Sequence, residues 1–539
     1  MTAEQIQQPI FDMLIRGGTV LDGTGAEAYR ADVGIVGERI AAVGDLSQAK
    51  AGRVLEAAGL RVAPGFIDIH THSDISVTYD PGQASSVAMG VTTQVTGNCG
   101  LSLGFATGAD VFAFEKRWLA PHGARITWAT FDEHLRLIES NGVANNYLPL
   151  AGHGTLRKRV MGMQERAPDR ADMAAMQHEL EAALMAGAWG LSSGLEYPPS
   201  SYASEDELAE LCKVVAVHGG IYATHLRSEG DGLIEAVEEA IRIAERAGVP
   251  LQLSHHKAEG RANWGKVKTT LGMVEAARAR GLDVQLDQYP YTAFMTGLGI
   301  QTLPRWVLSG TTEETVARLL DPAQRAVILA EIRAAHPDWD DLSEASPWHN
   351  IQIGVSRGKP EIQGRTIAAL AIEAGRNPIE YVLDLLAETG GYVSAVNFAI
   401  GEEDIVEVMR YPWTAIGSDG AGTHPGGPAS EDKIHPRAYG TFPRVLGRYV
   451  RERGVLTEAE AVYKMTALPA ARLGLADRGR IAPGYYADIT LYDPAHVLDC
   501  ATFDHPHRFA AGIEAVLVNG RLVLENGLPN GMRAGRVLR

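Results

Sequence analysis

From residue 63 to residue 479 the chain repeats one pattern: a short apolar run, a loop, then an amphipathic helix. The runs are FIDIH (66–70), TTQVTGN (92–98), NYLPLAG (146–152), WGLSSGL (189–195), IYATHL (221–226), PLQLSH (250–255), DVQLDQY (283–289) and WTAIGSD (413–419). Helical periodicity fills several gaps between them, as in ADMAAMQHELEAALMAG, EDELAELCKVVAVHG and GLIEAVEEAIRIAERAG. Strands joined by crossover helices run parallel, and eight of them close naturally into a (β/α)8 TIM-like barrel. More than a hundred residues separate the seventh run from the eighth, so a helical insertion at about 291–350 is expected over one end of the barrel. YVSAVNF (392–398) competes for a place among the barrel strands.

The two ends of the chain read differently. FDMLIRGG, TVLDG, ADVGIVG, RIAAVGD and RVLEAAG at the start, and YADITLYDP, GIEAVLVNGRLVLENG and RAGRVLR at the finish, are short β segments between Gly and Asp turns. Asn519-Gly520 is a hairpin signal. Either end alone would expose an apolar face, so residues 1–62 and 480–539 are expected to pair into one small β-sandwich beside the 63–479 barrel.

With 49 basic and 66 acidic side chains the formal charge is −17, which disfavours nucleic acid and anionic membranes as partners. No apolar run reaches membrane-spanning length, and MTAEQIQQPI lacks the features of a signal peptide. Three cysteines, Cys99, Cys212 and Cys500, suit a reducing compartment, and the cytoplasm is the expected location.

GFIDIHTHSD ends the first run on His70 and His72, two positions apart and so aimed the same way from a strand end. Alone the pair is weak. Its weight comes from recurrence: Cys99 closes the second run, His225 the fifth, His255 and His256 the sixth, and Asp419 the eighth. In a barrel these ends share one mouth, where such folds carry their chemistry. Imidazole, thiolate and carboxylate together select zinc over magnesium or calcium. Cys212 lies on a helical face and Cys500 in the C-terminal β region, where both read as packing residues.

GFIDIHTHSD, GVTTQVTGNCG, GLEYPPSSYA, THLRSEGDG, LSHHKAEG, GSDG with HPRAYGTFPRVLGRYV, and MTALPAARLGLADRGRIAPGYYADITLYDP resemble the D-aminoacylase (N-acyl-D-amino-acid deacylase) family of the amidohydrolase superfamily. GNCG, HHK and the HPR-YGTFPR block are particular to that branch. The resemblance implies that Cys99, His225 and His255 hold a tight zinc, with His70, His72 and Asp419 around a weaker second site that shares Cys99. It favours His255 over His256, and it implies hydrolysis of N-acyl-D-amino acids to a carboxylate and a free D-amino acid.

Within that chemistry Asp419 is the candidate to take a proton from water and return it to the leaving nitrogen. Tyr197 is a candidate to polarise the scissile carbonyl. Lys257 and Tyr289 are placed to clamp the substrate carboxylate. Arg227 and Glu229 are expected to support the fifth-strand ligand, and His153 reads as structural. Two rivals remain: a cyclic-amide hydrolase of hydantoinase or dihydroorotase type, which GNCG and HHK count against, and a metal-free scaffold, which the full set of ligand-type residues counts against.

Overall fold

The computed structural model describes residues 10–106, 119, 123–337, 339–343, 346–356, 358–427 and 429–539. Most of the N-terminal MTAEQIQQPI segment (residues 1–9) lies outside them. The chain is an α/β protein built around parallel strands.

All eight expected runs are extended. Phe66–Asp68, Val91–Thr96 and Asn146–Pro149 pair in parallel, in that order. Ala151–Gly152 continues the third run past Leu150 and starts a second parallel series through Gly190–Gly194, Ile221–His225, Leu251–Leu253, Val284–Gln288 and Thr414–Ile416. Just past the first and last strands, Thr71 pairs in parallel with Gly420. These strands are buried on both faces, as parallel strands flanked by helices are.

The helices follow local rules. Leu233–Ala247 buries Leu233, Ala236, Val237, Ala240, Ile241 and Ala244, the stripe that a 3.6-residue period creates. Glu205–Val217 starts on Ser204, whose side chain accepts the Glu207 amide and satisfies one otherwise orphaned donor. Arg170–Ala186 ends on Gly187 in the left-handed conformation. Their apolar faces join the strands in one continuous core that includes Leu191, Tyr222, Leu251 and Leu286.

The insertion departs from expectation in extent and in kind. Three antiparallel strands, Phe294–Gly297, Ile351–Ser356 and Val393–Asn397, form a separate sheet with the last in the middle. Helices Thr312–Leu320, Pro322–Ala335, Ile367–Ala374 and Pro378–Thr389 pack around it on a core of Leu298, Leu319, Ile328, Trp348 and Leu383. The insertion is therefore mixed α/β and reaches Asn397, well past residue 350. YVSAVNF belongs to this sheet, because its neighbours run antiparallel to it and cover its apolar residues.

The N- and C-terminal strands pair into one nine-stranded sheet. Ile10–Val20 is its branch point, pairing with Lys50–Glu56 over its first half and Arg61–Pro64 at its end. Arg61–Pro64 pairs with the C-terminal Ile489–Tyr492, which unites the two ends of the chain. In the hairpin Ile513–Val518/Arg521–Glu525, Asn519 and Gly520 have φ of 48° and 76°, both positive as a type I′ turn requires.

Candidate functional site

At the carboxyl ends of the parallel strands the expected residues meet. Cys99 Sγ lies 3.4 Å from His70 Nε2 and 3.4 Å from His255 Nε2. His225 Nδ1 is 3.0 Å from His255 Nε2. Asp419 Oδ1 is 3.4 Å from His70 Nε2 and 3.0 Å from His72 Nε2. His70, Cys99, His225, His255 and Asp419 are buried, while His72 is half-buried and opens towards solvent. Parallel strands put these residues at one level, and the Asp419 amide donates to the His70 carbonyl oxygen across the first and eighth strands.

The backbone is strained where the ligand-type atoms converge. Cys99 (φ 52°), His255 (φ 34°) and Asp419 (φ 51°) all adopt the left-handed region, which non-glycine residues avoid at a cost of about 1–3 kcal/mol each. Surrounding contacts hold them there. Ser192 Oγ accepts the Gly100 amide at 3.0 Å and donates to the Gly97 carbonyl at 2.5 Å, clasping both ends of the turn that carries Cys99. A Cβ at Gly194 would fall 2.2 Å from the Cys99 carbonyl oxygen, so only glycine lets the turn lie this close to the fourth strand.

The spacing suits a metal. Donors bound tetrahedrally to zinc at its usual N and S distances lie about 3.3–3.6 Å from one another, close to the contacts Cys99 makes. His70, Cys99, His255 and Asp419 place ligand atoms within 4.8 Å of one another, and a second such group joins His225, Glu229 and His255. Burial disfavours the Cys99 thiolate, but the adjacent His70 and His255 outweigh it and hold the thiol well below its usual range. Burial likewise opposes ionisation of Asp419, but Arg437, with Nη1 2.7 Å from Oδ2, and the nearby histidines keep it a carboxylate. These donor types, ionised in a buried cluster, fit zinc.

A set of carboxylates orients the imidazoles. Asp287 Oδ1 is 3.1 Å from His70 Nδ1 and accepts the His255 amide at 2.8 Å. Glu196 Oε2 is 2.9 Å from His225 Nε2. Glu229 Oε1 is 3.0 Å from His255 Nδ1, and its Oε2 is 2.5 Å from Lys257 Nζ. Such partners fix the tautomer and raise the basicity of the ring nitrogen that faces the metal.

The expectation that Arg227 and Glu229 both support the fifth-strand ligand needs correction. Glu229 supports chiefly the sixth-strand His255 and lies 3.8 Å from the fifth-strand His225. Arg227 supports neither: it pairs with Glu239 and donates to the Ser201 and Ala203 carbonyls, tying down a loop instead. The Lys257 ammonium is held on Glu229, where its charge is balanced. His256 points away, its Nε2 2.7 Å from Thr270 Oγ1, so the adjacent histidines take opposite faces of the strand. His153 lies between Ser200 Oγ and Glu207 Oε1. Cys212 is buried in the helical core, and Cys500 is half-buried.

The Tyr197 ring lies tilted against His225, with centroids 4.6 Å apart, and its hydroxyl accepts a bond from Thr296 Oγ1 at 3.3 Å. The buried Tyr289 hydroxyl has no hydrogen-bond partner among the described residues. Around its ring stand two cations, Arg437 with Cζ at 4.8 Å and Lys257 with Nζ at 5.8 Å from the centroid. Sequence reasoning missed Glu196, Asp287 and Arg437. Parity offered a signal for Asp287, which shares its strand face with Tyr289, and HPR lies within a block particular to the family.

Comparison with known proteins agrees with this geometry. The family model described as "Amidohydrolase family" matches residues 53–524. The D-aminoacylase of Alcaligenes xylosoxydans xylosoxydans is 39% identical over 528 residues, covering 98% of this chain and 97% of that protein. The N-acyl-D-glutamate deacylase of the same organism is 38% identical, covering 99% and 97%. A solved N-acyl-D-glutamate deacylase from Bordetella bronchiseptica, complexed with zinc and a phosphonate mimic of the tetrahedral intermediate, superposes with a TM-score of 0.83 at 35% identity, covering 98% of this chain and all of that one. A match across nearly the whole length, together with a thiolate–imidazole–carboxylate cluster at the strand ends, leads to one conclusion: the chain belongs to the amidohydrolase family, in its D-aminoacylase branch.

Proposed function

We propose that this enzyme hydrolyses the amide bond of N-acyl-D-amino acids, giving a carboxylate and a free D-amino acid, with zinc as its metal. The observation that carries this reading is the buried cluster of Cys99, His70, His255 and Asp419, with His225 Nδ1 3.0 Å from the Nε2 of the shared His255. Cys99, His225 and His255 would hold a tight zinc. His70, His72 and Asp419 would border a second, weaker site that shares Cys99. Bound there, zinc acidifies water and polarises the scissile carbonyl.

The chain's own groups supply the rest. Asp419, kept ionised by Arg437, accepts a proton from the attacking water and delivers it to the departing nitrogen. Tyr197 stands beside His225, where its hydroxyl can assist the carbonyl oxygen. The partnerless Tyr289 hydroxyl, with Lys257 and Arg437 around its ring, receives the substrate carboxylate. Asp287, Glu196 and Glu229 keep the imidazoles aimed.

This chemistry sits on an architecture we assign as a closed (β/α)8 barrel over 63–479, with a small β-sandwich from 1–62 and 480–539. The Thr71–Gly420 pairing and the continuous third strand support closure. No helix among the described residues is long and apolar enough to cross a membrane. All three cysteines are free, which favours a reducing compartment such as the cytoplasm. A cyclic-amide hydrolase is disfavoured, because the full-length relatives are deacylases.

Asp419→Asn tests the role of the carboxylate. The variant should retain bound zinc by metal analysis and lose N-acetyl-D-amino acid hydrolysis by about 100-fold or more. Activity near that of the parent, with zinc bound, would remove Asp419 from the mechanism.

A further inference from the structure

His435 opens the segment that carries Arg437, and it is 3% exposed. Its Nε2 lies 2.9 Å from the Ala293 carbonyl oxygen, and its Nδ1 lies 3.1 Å from the Arg437 amide nitrogen. A carbonyl can only accept and an amide can only donate, so Nε2 carries the proton and Nδ1 is a bare acceptor. Burial and the Arg437 guanidinium hold this imidazole well below its usual range, which keeps it in that neutral form. Both ring nitrogens are engaged by backbone groups, which leaves none to ligate a metal.

Those bonds fix the start of a helix. The first amides of Arg437–Arg444 have no partner within the helix, as at any helix start. His435 supplies an acceptor for the Arg437 amide through Nδ1 and one for the Ala438 amide through its carbonyl oxygen, at 3.3 Å. Thr441 Oγ1 donates to the Arg437 carbonyl at 2.9 Å, so both backbone polar groups of Arg437 are held. From this anchored backbone the Arg437 side chain reaches two places at once. Nη1 is 2.7 Å from Asp419 Oδ2, and Cζ is 4.8 Å from the Tyr289 ring centroid. The far side of the imidazole grips Ala293, just past Tyr289, while Arg444 Nε donates to the Pro290 carbonyl at 2.7 Å. The helix and the exit of the seventh strand are pinned to each other.

We infer that His435 is a positioning residue for the deacylase reaction proposed above: its Nδ1 hydrogen bond, not its ring packing, keeps Arg437 in register with Asp419 and Tyr289. An arginine side chain is long and rotamer-rich, so its aim depends on where its backbone is fixed. A misplacement of about 1 Å in such a group costs on the order of 100-fold in rate. The ring also makes edge contacts with Tyr291 and Phe503, with centroids 5.1 and 5.0 Å apart. They define the alternative, a side chain that only fills space.

Two variants of the full-length, zinc-loaded enzyme separate these roles. His435→Asn loses the ring but offers Oδ1 to the amide two residues on, the bond of an Asx turn. His435→Phe keeps a ring and offers no acceptor. With zinc content matched by metal analysis, kcat/KM for N-acetyl-D-amino acids should stay within about tenfold of the parent in His435→Asn and fall about 100-fold in His435→Phe. The fall should appear in both kcat and KM, because Arg437 touches Asp419 as well as the substrate-carboxylate site at Tyr289. A phenylalanine variant as active as the asparagine variant, or more so, overturns the inference while leaving the deacylase function standing. A loss of about 100-fold in His435→Asn does the same. Crystal structures of both variants decide the point without activity: the guanidinium should leave Asp419 in His435→Phe and stay in His435→Asn. A guanidinium still hydrogen-bonded to Asp419 in His435→Phe overturns the positioning role. Failure of the parent to hydrolyse any N-acetyl-D-amino acid removes the deacylase reading, and the two structures then settle the role of His435 by themselves.

Discussion

Glu229→Gln isolates the buried pair behind His255. In the parent the Glu229 side chain is 1% exposed, with one oxygen 2.5 Å from Lys257 Nζ and the other 3.0 Å from His255 Nδ1. Glutamine keeps the shape but leaves the buried ammonium unbalanced. Breaking such a pair by removing one partner costs about 3–5 kcal/mol. At ~2.1 cal/mol/K per residue, 539 residues give an unfolding entropy of ~1.1 kcal/mol/K, so Tm should fall by about 3–4 °C. Glu229→Gln/Lys257→Met removes the stranded charge and should recover most of that loss. Both variants carry the Glu229→Gln change, so the loss of the carboxylate behind His255 is common to them. Zinc affinity, read by competition with a chelator, should drop about 10–100-fold in both, because His255 has lost its orienting carboxylate. The assay is thermal unfolding of the single and double variants at matched zinc. A double variant that melts at or below the single would refute the charge-balance reasoning.

Two further outcomes are expected. Ser192→Ala removes the clasp on the Cys99 turn and should weaken zinc binding about 10-fold, while Ser192→Thr, which keeps the hydroxyl, should restore it in the same chelator competition. His134, packed at a tilt against Trp128, has its pKa lowered to about 3 by burial. The unfolded chain takes up this proton near pH 6.5 and the folded chain does not, so the stability it permits is full above pH 6.5 and lost as pH falls towards 3. At pH 5 the loss is about 2 kcal/mol, and His134→Phe should melt less pH-dependently than the parent between pH 7 and 5.

The eight parallel strands and the helices between them were legible because their signals are local: burial on both faces shows as an apolar run, and a helix facing the core shows its 3.6-residue stripe. Ligand-type residues at five strand ends could be read the same way, since a parallel sheet aligns those ends whatever the details of packing. The insertion was misjudged because antiparallel strands of four to six residues, such as Phe294–Gly297, carry too little periodicity to mark their partners.

Tertiary structure alone decided the partnerships. Asp287 with His70, Glu196 with His225, and Arg437 with Asp419 join residues far apart in the chain, and charge pairing leaves no trace in local pattern. So it was with Lys257: a lysine two residues past a histidine reads as a free cation, and only the packing of Glu229 against it shows that its charge is already met. The sequence by itself determined which side chains reach the strand ends, because strand periodicity is a property of neighbouring residues. Which of them are strained, ionised or neutralised was decided by the fold, because those states depend on what distant segments bring within a few ångströms.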